Sequence, residues 1–103
     1  MEKKEFEEMV HKNMDICTKR LKTISSQIDD ENLFEIKHKG NVKELALSDQ
    51  RYKKLIEKAI FYLESLMGSK RVLGMDYSEN KKVLDKFKLE LQEIIETELI
   101  NNN

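Results

Sequence analysis

The chain has 103 residues, 38% of them charged and 39% hydrophobic, and its 19 Lys and Arg against 20 Asp and Glu leave a net charge of −1. That length predicts one domain with one modest core. The near-neutral balance excludes a global pull toward nucleic acid or an anionic membrane, although residues 1–36 carry six basic and nine acidic groups, residues 37–88 thirteen and seven, and residues 89–103 none and four.

The opening Met1-Glu2-Lys3-Lys4-Glu5 is charged and does not read as an apolar leader. No apolar run approaches the roughly 20 residues of a membrane span. The expected setting is cytoplasmic, with no membrane. Cys17 is the only cysteine, which excludes an intramolecular disulfide and a cysteine-based zinc site.

A first helix is predicted over about residues 3–28. Val10, Met14, Cys17, Leu21, Ile24 and Ile28 recur at spacings of four, three, four, three and four, an apolar seam on one helical face. Phe6 and Met9 extend the apolar side toward the N-terminus. Asp29-Asp30-Glu31-Asn32 then interrupts the pattern.

Residues 33–47 read LFEIKHKGNVKELAL. Pairing the two halves about Gly40-Asn41 places Phe34 opposite Leu47 and Ile36 opposite Leu45 on one face, with Lys37 opposite Glu44 on the other. Cross-strand partners that match on both faces predict a β-hairpin, and Gly supplies the positive φ that a two-residue turn needs. A rival pattern is present in the same residues. Gly40 can end a short helix over 31–39, and Asn41-Val42-Lys43-Glu44 can be a capping box that opens a helix at residue 42. In that case the seam Tyr52, Ile56, Ala59, Leu63, Leu66 continues back to Leu45.

With the hairpin in place, Ser48 caps a second helix over about 49–67, Leu47 and Tyr52 form a hydrophobic staple, and Gly68 stands as its C′ residue. Residues 68–77 form a connector containing Val72, Leu73 and Gly74. Asp76 and Glu79 then fit an N-cap and its N3 partner for a last helix over about 77–100. Its apolar stripe is Val83, Leu84, Phe87, Leu91, Ile94, Ile95 and Leu99. The expected fold is a single mainly α domain with one β-hairpin, in the order α-β-β-α-α, packed as a small helical bundle. The alternative is an all-α four-helix arrangement.

Chemical motifs are sparse. Glu8-Met9-Val10-His11 has the Glu-x-x-His spacing of di-iron bundles, but those need two such motifs and two further Glu residues, and the only other histidine is His38. Carboxylate pairs occur at Glu5/Glu8, Glu90/Glu93 and Glu93/Glu96, without phosphate-binding partners, and read as solvated helix faces. Cys17 lies on the apolar seam, where a thiol behaves as a small inert hydrophobe. The three glycines are isolated and form no phosphate loop. The expectation is therefore no enzyme, no metal and no cofactor.

The predicted function is that of a small non-enzymatic protein-interaction module, an adaptor, inhibitor or regulatory subunit that binds another protein. The expected contact residues are Lys37, His38, Lys39 and Lys43 at the hairpin tip and edge, where β-augmentation is available. Val72 and Leu73 of the connector come second. The alternative is a small nucleic-acid-binding regulator that uses the basic middle segment. A homodimer is expected, because a short chain with long apolar stripes gains buried area by pairing across a two-fold axis.

Overall fold

A computed structural model describes residues 2–30 and 42–101 of the chain. It contains three helices, α1 (Lys3–Asp30), α2 (Val42–Val72) and α3 (Ser78–Asn101). No described residue lies in a strand.

Each helix is built on a heptad-like apolar stripe. On α1, Cys17 and Ile24 are buried, flanked along the same seam by half-buried Val10, Met14, Leu21 and Ile28. On α2 the stripe is wider: Tyr52, Ile56, Ala59, Leu63, Leu66 and Met67 are all buried. On α3, Leu84 and Ile94 are buried, with Tyr77 just before the helix and Phe87 and Leu91 within it half-buried.

These stripes close into two adjoining clusters. Tyr52, Ile56 and Ile94 form one, with Ile28, Leu91 and Phe87 against it. Leu63, Met67 and Leu84 form the other, with Leu21, Tyr77 and again Phe87. Full burial of an aliphatic or aromatic side chain of this size stabilises by about 1.5–3 kcal/mol, so these clusters carry most of the fold. Polar contacts set the directions. Asn13 meets Ser65 and Ser69 while Ile28 packs against the Tyr52–Ile56 cluster, so α1 and α2 are antiparallel. Lys53 Nζ donates to Glu98 Oε2 at 2.9 Å, Lys88 Nζ lies 3.3 Å from Glu64 Oε1, and Lys70 Nζ donates to Asn80 Oδ1 at 2.7 Å, so α2 and α3 are antiparallel too.

α2 is the shared element. It packs on both neighbours, whereas α1 and α3 make no close backbone approach among the described residues and meet through side chains alone. At 31 residues α2 is about 46 Å long, and the molecule measures 55 × 27 × 22 Å. Its radius of gyration of 16.6 Å exceeds the about 13 Å of a compact domain of this length. Inside the α2–α3 contact the buried Tyr52 hydroxyl donates to the Glu90 carboxylate; burial first, and that carboxylate second, push the phenol well above its ordinary range.

The structure corrects the expected fold in two places. The β-hairpin over 33–47 is not present: residues 42–47 belong to α2, and residues 33–41 lie outside the described residues. A two-stranded hairpin alone is marginally stable, whereas the helical seam through Tyr52 and Ile56 runs back in register to Leu45 and extends a helix already anchored in the core. The helix start at residue 42 follows the rival pattern in the sequence, and Ser48 and Leu47 are interior helical residues, not a cap and a staple.

The second correction concerns Gly68. It does not end α2, which runs on to Val72. A glycine inside a helix costs about 1 kcal/mol relative to Ala. The extra turn offsets that cost by burying Ser69 against α1. The helix ends instead at Gly74, whose φ is +70°. The Met75 N–H donates to the Lys70 carbonyl at 2.8 Å and the Gly74 N–H to the Arg71 carbonyl at 3.1 Å, the paired bonds of a Schellman motif with Gly74 at C′. Asp76 then opens α3 by accepting the Ser78 N–H at 3.0 Å and the Ser78 hydroxyl at 3.1 Å. These bonds, the backbone one foremost, hold its carboxyl below the usual range.

The two glycines therefore respond oppositely to a methyl group. A Cβ at Gly68 meets nothing within 4 Å, so Gly68→Ala is expected to raise stability by about 0.5–1 kcal/mol. Gly74→Ala forces a side chain into the left-handed region and is expected to lose about 1–2 kcal/mol. Urea unfolding of both variants checks this; a destabilised Gly68→Ala would restore the helix end to residue 68.

Candidate functional site

The residues singled out from the sequence fall in three different settings. Lys37, His38 and Lys39 lie outside the described residues. Lys43 stands in the first turn of α2, its side chain outside the described set. Val72 is the last residue of α2 and well exposed, while Leu73 follows in a turn and is half-buried. The strand edge proposed for Lys43 does not exist, since its backbone is helical.

Cys17 is buried, with its Sγ 3.9 Å from Asn13 Oδ1. His11 is exposed on α1. Among the described residues no group of three or more His, Cys, Asp or Glu side chains is placed to hold a metal ion.

A groove of about 480 Å³ lies between α1 and α2, with no α3 residue in its lining among the described residues. The cavity itself lies between residues 20–27 of α1 and 54–62 of α2, and by helical periodicity the faces that flank it continue beyond it. On α1, Met9, Asn13, Ile16, Arg20, Thr23 and Gln27 recur at spacings of four, three, four, three and four, one position off the core seam. On α2, Lys54, Lys58, Phe61, Ser65, Gly68 and Val72 recur at the same spacings. Residues so spaced share one face, and the antiparallel packing at Asn13, Ser65 and Ser69 lays the two ribbons side by side.

The groove is polarised along its length. At one end the α1 cation Arg20 lies across from Lys54 and Lys58 of α2, with Glu57 the only acidic residue lining it among the described residues. A smaller cavity of about 150 Å³ continues this end past Gln27 to Arg51. Buried Ile24 forms part of the floor, and Phe61 rises beside it with its ring edge-on to Tyr62 at 5.3 Å. Beyond Phe61 the two ribbons turn apolar. Met9, Ile16, Phe61 and Val72 are 56%, 55%, 65% and 57% exposed, and Gly68 leaves open space between them.

A polar layer sits under the middle of this surface. Asn13 Nδ2 donates to Ser69 Oγ at 2.8 Å and to Ser65 Oγ at 3.1 Å. Ser69 is the buried polar residue of the described set, and an unmade bond to such a group costs about 1–3 kcal/mol. A single satisfied polar layer in an otherwise apolar helix interface fixes which residues stand opposite each other. Here it sets the α1–α2 register and so aligns the two walls.

Sequence reasoning missed this groove because it followed only the deepest stripe of each helix. The available signal was Met9 and Ile16, seven apart and one position off the Val10–Cys17 seam, together with Phe61 standing off the Ile56–Leu63 seam among Lys54 and Lys58. No helix among the described residues is long and apolar enough to cross a membrane. The chain matches no protein-family profile, no curated protein and no solved structure.

Proposed function

We propose that this protein is a non-enzymatic interaction module, an adaptor, inhibitor or regulatory subunit that works by holding another protein in the cytoplasm. The observation that carries the reading is the exposed Phe61 in the groove, on helix faces that also carry the exposed apolar side chains Met9, Ile16 and Val72 at helical spacing. Contiguous exposed apolar surface rimmed by polar residues marks contact sites, and an exposed aromatic beside cations has the composition of an interface centre. The contact surface moves accordingly from a strand edge to a helical groove.

The experiment is affinity capture by the full chain and by Phe61→Asp, after circular dichroism has established equal helical content. The intact chain is expected to retain a protein partner in stoichiometric amount, and the variant to lose it. Equal retention by both, or retention of nothing by the intact chain, contradicts the reading.

The proposed homodimer rests on a different surface. The outward face of α3 reads Lys82, Lys86, Leu89, Glu93 and Glu96 at spacings of four, three, four and three, all exposed. Laid antiparallel on a second copy about a two-fold axis at Leu89, it sets Lys86 against Glu93 and Lys82 against Glu96, the self-complementarity an isologous contact requires. Light scattering is expected to give twice the protomer mass, falling to one protomer for Lys82→Glu/Lys86→Glu and returning when Glu93→Lys/Glu96→Lys is added. A single-protomer mass for the unaltered chain removes the dimer.

A further inference from the structure

The interaction reading leaves the chemistry of the partner open, and the groove narrows it. Its length, its two ends and its charge each restrict what can lie in it.

The cavity occupies the stretch between residues 20–27 and 54–62, and the helix faces that continue it, from residue 9 to 27 on α1 and from 54 to 72 on α2, each span about 27 Å, the length of about 18 helical residues. A channel between two antiparallel helices is the seat that a further helix takes in a bundle, its side chains entering the spaces between theirs. At Gly68 the missing side chain leaves such a space toward the C-terminal end of the α2 face. The apolar half, Met9, Ile16, Phe61 and Val72, demands apolar side chains opposite. The other half places Arg20, Lys54 and Lys58 against the single carboxylate of Glu57, and demands negative charge.

A continuous polyanion satisfies the second demand and not the first. It would also run from the basic end toward the start of α1, where Glu2, Glu5, Glu7 and Glu8 outnumber Lys3 and Lys4, and be disfavoured there. A second copy packed on this groove about a two-fold axis would set cations against cations if parallel and cations against the apolar half if antiparallel, and in neither case supply carboxylates to Arg20, Lys54 and Lys58. Carboxylates confined to one half of a short segment meet both demands.

We infer that the groove receives an amphipathic helix of about 18 residues from a partner protein, with its acidic half over Arg20, Lys54 and Lys58 and its apolar half over Phe61, Ile16, Met9 and Val72. This rests on the interaction reading above and deepens it. The cations steer and orient the helix, and the apolar end holds it.

The test is fluorescence anisotropy with two synthetic helical peptides of one composition. In the first, Leu fills one half of the interacting stripe and Glu the other; in the second, Leu and Glu alternate along the stripe. The intact chain is expected to bind the segregated peptide, more weakly as salt rises, and the alternating peptide at least about tenfold less tightly. Lys54→Glu/Lys58→Glu, which alters only exposed or half-exposed surface positions, is expected to weaken the segregated peptide by about tenfold or more. Equal binding of both peptides, or of neither, overturns the inference. So does tighter binding of a single-stranded oligonucleotide than of the peptide, which assigns the groove to nucleic acid, and so does self-association abolished by the same double variant, which assigns it to a second copy. If the peptides fail while capture remains dependent on Phe61, the acidic helix falls and the interaction reading stands; if capture fails as well, both fall.

Discussion

The burial of one wide stripe on α2 is the constraint from which the rest follows. Tyr52, Ile56, Ala59, Leu63, Leu66 and Met67 cover more of a helix surface than one neighbour can shield. α1 covers one flank and α3 the other; among the described residues the two outer helices make no close backbone approach, and Leu21 and Ile28 join the clusters that also hold Leu84 and Ile94. Remove α2 and nothing is left to hold α1 near α3. Its length follows from the same constraint, since a helix that serves two partners along about 46 Å is worth extending by a turn at either end, past Leu47 at the start and past Gly68 at the finish.

Local pattern and global packing agree over most of the chain and part company at two sites. The α1 seam from Val10 to Ile28 and the α3 stripe through Leu84, Phe87, Leu91 and Ile94 are legible because each apolar position repeats at helical spacing without a competing period. Residues 42–47 carry two periods at once. Their alternation fits a strand, while Leu45 also stands seven before Tyr52. A local pattern cannot decide between them; the decision belongs to the core, where the helical register joins a stripe already buried. Gly68 misleads for a related reason. Glycine is the usual residue past a helix end, but the helix ends where a positive φ is required, and that place is Gly74.

The groove was harder to read because its residues are ordinary one at a time. Met9, Ile16 and Phe61 are single apolar residues among charged ones, and Arg20, Lys54 and Lys58 look like solvated helix faces. Only the antiparallel register, set by Asn13 between Ser65 and Ser69, brings them into two facing ribbons. The same polar layer that specifies the packing therefore also assembles the surface, which ties the proposed contact to the fold itself. Outside that layer the ion pairs, such as Lys88 with Glu64 and Lys82 with Glu79, are exposed and contribute little to stability.

Among the described residues α2 is one unbroken helix and carries the most buried side chains. Native-state hydrogen exchange tests it directly, because amides in the best-packed unit exchange only through global unfolding while others open locally. The slowest amides are expected in α2, from Ile56 through Leu66, with protection continuing across Gly68 into Ser69 and Lys70. Fast exchange of residues 68–72 as a separate unit, or slower exchange in α1 or α3 than in α2, would contradict that expectation.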